Sequence, residues 1–231
     1  MSGQWNNSRD LIERILVTGT LRLETPAHFG NGDGEGLLDM PLHVDAYEGR
    51  ALLTGASLAG ALRSYISQRY ADQARRLFGE VYDDSEQTGS VEKRSEESLV
   101  IVDDALSDQR PLTELRDGVA IDPTTRTAED EKKYDIELLA AGTEFTLSFE
   151  LLVRKDETDA ELIQLFALAL DGLAQGHIRL GKRKRRGFGK CRVTNWYVHR
   201  YNMQSAKGMC DWLNHADQSE GSAGSDIFAL L

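Results

Sequence analysis

Two stretches of the chain alternate apolar and polar residues. Ile15, Val17, Gly19, Leu21 and Leu23 alternate with Leu16, Thr18, Thr20 and Arg22, and Phe145, Leu147, Phe149, Leu151 and Val153 keep the same period further on. A period of two predicts strands with one buried face. The first ends at Pro26, before a loop holding Gly30, Gly32, Gly34 and Gly36. Leu58, Leu62, Tyr65, Ile66 and Arg69 run at helical spacing behind Thr54-Gly55-Ala56-Ser57, where Ser57 suits the N-cap. Gly60 sits inside that helix at a cost of about 1 kcal/mol relative to Ala, so a close approach to its backbone is expected. A second helix is predicted over Asp159–Gly172, with Leu162, Phe166, Ala169, Leu170 and Leu173 as its apolar stripe.

Shorter strands are predicted at Ser98–Val102, His177–Leu180 and Lys190–His199, and Pro41–Val44 with Ala51–Leu53 reads as a hairpin. Residues 83–97 and 104–140 keep no steady period and read as loops and a hairpin projecting from the core. Residues 1–12 read as a frayed start, Ala206–Asn214 as a helix and Gly221–Gly224 as a flexible linker. The order is strand, helix, strand, projection, strand, helix, strand. It predicts an α+β, ferredoxin-like (RRM-like) fold with two helices on one face of an antiparallel sheet, an arrangement shared by many RNA-binding domains. The expected division is one domain over 1–202, with an insertion at about 104–140, then a helix and flexible tail over 203–231.

Composition narrows the class. The chain has 231 residues, of which 40% are apolar, enough for a real core. Cys191 and Cys210 are far apart and fit no metal spacing, which suggests a reducing compartment without a disulfide framework. No signal peptide stands out, and no apolar run approaches the ~18 residues of a membrane span, so a cytoplasmic protein with no membrane partner is expected. The net charge of -11 argues against nucleic acid until its distribution is considered. Residues 81–137 hold 17 acidic against 7 basic residues, a net of -10, so the remainder is close to neutral.

That remainder contains Gly181-Lys182-Arg183-Lys184-Arg185-Arg186-Gly187-Phe188-Gly189-Lys190, six cations and three glycines in ten positions. Cations so crowded repel one another, and an anion relieves the repulsion. A basic, glycine-hinged loop with one aromatic suits a phosphate backbone, with Phe188 able to stack or pack; the alternative is a solvated turn between strands. There is no nucleophile elbow, Walker loop or paired metal-ligand spacing. Of the five histidines, His28 is distinguished by its place at a strand end beside the glycine-rich loop. Asp33 and Asp39 lie in or near that loop, where a carboxylate can recruit hydrated magnesium or orient a 2'-hydroxyl, or simply form a turn.

Five stretches together resemble the RAMP superfamily, in particular the repeated backbone subunit of type III CRISPR effector complexes. Thr25-Pro26-Ala27-His28-Phe29-Gly30 resembles the family's first loop. Leu38-Asp39-Met40-Pro41 is similar to the loop of the cleaving aspartate. Leu53 to Arg63 resembles the signature helix start, Gly181 to Lys190 the defining glycine-rich loop. Asp117 to Asp122, Thr127-Ala128 and Leu138 to Phe145 are similar to the thumb region. The resemblance spans about residues 13–200, and departs at Ala59, where the family often carries a lysine.

The resemblance implies a subunit bound to guide RNA, paired target RNA and other subunits of the complex. The thumb wedges between bases, and an aspartate with a divalent metal, Mg2+ first, supports attack by the target's own 2'-hydroxyl. Asp39 then takes the catalytic and metal role. His28, Ser57, Arg63, Lys182, Arg183, Lys184, Arg185, Arg186, Gly187, Phe188, Gly189 and Lys190 take the RNA-binding role. Two other readings stand beside this one. The first is a purely structural RNA-binding subunit. The second is a guide-processing endonuclease of the same superfamily, ranked last because such enzymes use two tandem ferredoxin-like halves and this chain shows one.

Overall fold

The computed structural model describes residues 11–30, 39–82, 94–121, 126, 128–155, 160–214 and 222–231. The chain opens with β1 (Leu11–Leu23), β2 (Leu52–Leu53), α1 (Gly55–Ser67) and α2 (Ala71–Phe78). Then come β3 (Glu80–Tyr82), β4 (Arg94–Glu96), β5 (Val100–Val102), β6 (Ala105–Leu106), β7 (Thr113–Ile121) and β8 (Ala128–Leu139). It closes with β9 (Glu144–Arg154), α3 (Ala160–Ala174), β10 (Cys191–Asn202), α4 (Ala206–Leu213), β11 (Ser222–Gly224) and α5 (Ile227–Leu230).

The main sheet runs β11-β10-β1-β9-β5, with every neighbour antiparallel. Within it β1, β5, β9 and β10 form, with α1 and α3, the βαββαβ unit of the ferredoxin-like fold. The expected α+β class is therefore the observed one. Alternation is the cause: Ile15, Val17, Leu21 and Leu23 of β1 and Phe145, Leu147, Phe149 and Leu151 of β9 are all buried against the helices. α1 answers with Leu58, Leu62 and Ile66, and α3 with Leu162, Phe166, Leu170 and Leu173.

In β10 the alternation breaks. Thr18 pairs with Tyr197 but Thr20 with Thr194, so β10 carries one extra residue, and Asn195 takes a left-handed φ of 55°. This bulge shifts the phase so that both Val193 and Trp196 face the core.

The hairpin of β7 and β8 stands off the main sheet as its own ribbon, rooted where Ala27 bridges Leu139 and Met40 bridges Ile136. It lies within the segment expected to project. The smaller hairpin is present too, with Val44 bridging Ala51 and Leu52 N–H donating to His43 O at 2.9 Å.

Other expectations need correction. Thr54, not Ser57, caps α1: it is extended (φ -70°, ψ 141°) and its Oγ1 accepts the Ser57 N–H at 3.3 Å. His177–Leu180 forms no strand, only a bridge from Arg179 to Lys190. β1 begins at Leu11, inside the stretch expected to fray. Ser222–Gly224 is not a linker but the edge strand, pairing with Trp196–Val198 of β10, and Ile227 beyond it is buried in the core. The described residues past 202 are thus built onto the domain rather than trailing from it. Among the described residues no helix is long and apolar enough to cross a membrane.

Candidate nucleic-acid interface

The basic loop folds back onto the end of β1, and glycine makes this possible at two positions. Gly181 has φ 82°, and a Cβ there would lie 2.3 Å from the His28 carbonyl oxygen. Gly189 has φ 72°, and its Cβ would lie 1.8 Å from Leu180 O. In their absence the backbones close up: Lys182 N–H donates to His28 O at 3.0 Å, and Gly189 N–H to Pro26 O at 2.9 Å. Between them Lys184–Arg186 makes one 3-10 turn.

The loop's six cations point three ways. Lys182, Lys184 and Arg185 line a groove against α1. Arg183 and Arg186 both donate to the Tyr134 hydroxyl on β8, Arg186 at 3.3 Å, with the Arg183 guanidinium 4.0 Å from the Tyr134 ring centre. Lys190 pairs with Glu24 at 2.6 Å, which also binds Arg192. Lys190, followed by Arg192, holds the Glu24 carboxyl below its usual range. Phe188 is half-buried, with the Arg116 guanidinium of β7 at 5.5 Å from its ring centre. Gly187 ends the 3-10 turn and lines the groove.

The groove consists of two adjoining depressions of about 360 and 560 Å³ that share Ala61, Ser64 and Lys184. Its α1 wall is Ser57, Gly60, Ala61, Ser64, Tyr65 and Gln68, one helical face of mostly small side chains. A Cβ on Gly60 would meet nothing within 4 Å, so the close approach expected there is open to a ligand. Ser57 is exposed on this wall. The end of α1 is not a free anion site: Gly55 N–H donates to Asp104 Oδ1 at 2.7 Å, and Ser57 N–H to Thr54. Arg63 lies on a different face of α1 and does not line the groove.

Arg179 and His177 do line the groove, and the sequence reading missed both. Their signal was present, a cation and an imidazole within four residues of Gly181, but the strand assigned to His177–Leu180 concealed it.

His28 sits under the loop, 1% exposed. Its Nδ1 lies 2.8 Å from Glu137 O, which can only accept, so Nδ1 carries the proton and Nε2 is left as an acceptor. That Nε2 is buried, with no hydrogen-bond partner among the described residues. Burial first, then the charges of Lys182 and Arg183, push the imidazole below its ordinary value of 6.5, while the Glu137 carbonyl pulls the other way.

Asp39 lies at the root of the inserted hairpin. Its Oδ2 accepts the Asp135 N–H at 2.9 Å, and Met40 N–H donates to Asp135 O at 3.2 Å. Desolvation, then the negative charges of Asp117 across the hairpin and of Asp39, push the Asp135 carboxyl up. An approaching cation relieves that repulsion. Asp33 lies outside the described residues. Among the described residues no set of three His, Cys, Asp or Glu side chains is placed to hold a metal. A divalent ion at Asp39 would therefore take water and phosphate oxygens as its other ligands, the coordination Mg2+ favours.

Fold and site together define a ferredoxin-like domain with a glycine-rich basic loop closing a groove on the first helix, and a hairpin inserted beside it. A family model of the RAMP superfamily matches residues 20–192, and the chain belongs to that superfamily. It is similar to a chain in the cryo-EM structure of the type III-B Cmr-beta bound to cognate target RNA. The TM-score is 0.59 and the identity 18%, over 80% of this chain and 61% of that one. At that identity the likeness is one of fold, and this chain spans under two thirds of its neighbour's length. No curated protein matches it in sequence.

Proposed function

We propose that the chain is a backbone subunit of a type III CRISPR ribonucleoprotein, which holds guide RNA in the groove and cleaves the paired target at the site it covers. The observation that carries this is the groove. Three cations, Lys182, Lys184 and Arg185, face a wall of small residues, and among the described residues none of the three is in an ion pair. Such a surface takes phosphate with the sugar edge close to the helix backbone at Gly60. Superfamily membership and the likeness of fold to a Cmr-beta chain support the assembly.

The chemistry asks little of the protein. The target's 2'-hydroxyl gives its proton to water and its oxygen attacks the adjacent phosphorus; as that P–O bond forms, the bond to the 5'-oxygen breaks, and this oxygen leaves with a proton taken from water. The chain supplies geometry: the groove fixes the guide, and the hairpin holds flanking bases apart so that oxygen and phosphorus come into line. Asp39, at the hairpin root, would hold a divalent ion, which offsets the charge developing on the phosphate.

Asp39→Asn keeps the size of the side chain and removes its charge. In the assembled complex it should leave guide and target binding nearly unchanged and lower cleavage at one position by roughly 100-fold or more, comparable to losing an acid–base group. Cuts at neighbouring positions should persist, chelation should abolish all of them, and one 2'-deoxy nucleotide should block its own site. The competing reading is an RNA-binding scaffold without catalysis. It draws on the engagement of Asp39 Oδ2 by the Asp135 amide and on the absence of a three-ligand cluster among the described residues. A complete cleavage ladder at the wild-type rate in Asp39→Asn would establish it.

A further inference from the structure

The glycine-rich loop and the inserted hairpin grip each other through a reciprocal exchange. The loop's Arg183 lies on the hairpin's Tyr134, and the hairpin's Arg116 lies on the loop's Phe188. The Tyr134 ring also packs tightly against the backbone of its own hairpin. Gly118 pairs with it across the hairpin, and a Cβ at 118 would fall 2.0 Å from the Tyr134 ring. Tyr134 therefore touches both a guanidinium of the loop and the bare backbone of its own hairpin, and is half-buried between them. Its hydroxyl accepts from two guanidiniums at once, and this holds the phenol below its ordinary range. Arg183 reaches it from a left-handed backbone with φ 58°, a conformation that residues with a side chain avoid.

We propose that Tyr134 divides the loop's cations into two sets. Arg183 and Arg186 anchor the hairpin and contact no phosphate, while Lys182, Lys184 and Arg185 hold the RNA. Tyr134 is then a positioning residue. It fixes the hairpin's stance beside the groove, so that the groove that holds RNA and the element that separates bases move as one body. The phosphate half of this division rests on the reading of the groove as an RNA site; the anchoring half does not.

The test uses the full chain, a single-stranded RNA oligonucleotide and three variants: Lys182→Ala/Lys184→Ala/Arg185→Ala, Arg183→Ala/Arg186→Ala, and the conservative Tyr134→Phe. The triple variant should flatten the dependence of log K on log salt by about 0.7 per lost contact for a single strand. The double variant should leave that slope at the wild-type value. Amide exchange without RNA should rise at 114–118 and 134–138 in the double variant and in Tyr134→Phe. A merely structural tyrosine would not split the two cation sets in salt dependence. A slope lost equally in both sets overturns the division, and exchange unchanged in both hairpin variants overturns the anchoring. If the wild-type chain binds no RNA at all, the proposed function and the phosphate half fall together, while the exchange measurement still decides the anchoring.

Discussion

His28 shows how one side chain can be read partly from sequence and partly only from structure. Its position between a strand end and a glycine-rich loop was visible, and so was its nearness to chemistry. Its tautomer was not, because the Glu137 carbonyl that fixes it lies 109 residues away. Its folded pKa is below 6.5, so the unfolded chain takes up the proton first. Stability is full above that value and is lost as pH falls through the folded one. Thermal melts from pH 7 down to about 5 should show that loss in the wild type. His28→Phe should show less of it, whatever its starting stability; an identical slope in both would mean that other groups govern the acid limb. Asp39 was legible as a candidate for the same local reason. Its partner Asp135 was not, since the contact crosses 96 residues of sequence.

Elements were legible where one physical cause acted alone. β1 and β9 each lie between two sheet neighbours with a single buried face, and period two gives them at sight. α1 and α3 each bury one stripe, and period 3.6 gives those. Where two causes met, the reading failed. His177–Leu180 has strand-like residues but only one bridge, whereas the strand expected at Lys190–His199 is there as β10 even though the bulge at Asn195 interrupts its alternation. α2 is eight residues long with only Ala74 and Leu77 buried, too short for a periodic signal. β11 is three residues of small side chains whose strand character comes wholly from the edge of β10.

The cap of α1 is the same kind of error on a smaller scale. Thr54 and Ser57 both suit an N-cap, and only the backbone angles distinguish them. Thr54→Ala should therefore destabilise the protein by about 1 kcal/mol, as caps do, and Ser57→Ala by no more than a few tenths. Denaturant titration of the two variants separates these outcomes, and the reverse ranking would return the cap to Ser57.

At the scale of the molecule, the C-terminal segment is a part of the core that the sequence disguised as a tail. Ile227 is 1% exposed, Leu230 and Leu231 pack against the same cluster, and Arg200 Nη1 donates to Leu231 O at 3.1 Å. Removing everything after Asn214 should cost roughly 2 kcal/mol for the isoleucine alone. In a domain of this size that is a fall of about 5 °C or more in Tm. Scanning calorimetry on the shortened chain checks it, and an unchanged Tm would mean that the segment only rests on the surface.

The position of β1 in the sheet has a consequence in time. It pairs with β9 from Arg22 opposite Glu144 back to Leu11 opposite Arg154, and with β10 from Leu23 opposite Cys191 back to Glu13 opposite Asn202. A growing polypeptide makes the middle strand of this sheet more than a hundred residues before either strand that flanks it. At roughly 5–20 residues per second, the apolar face of β1 waits on the order of ten seconds for shelter. Apolar surface exposed for that long is prone to aggregate. The groove waits equally long, because His28 meets Lys182 only when those same strands close. Under the proposed function, RNA would then bind only a chain in which those strands have closed.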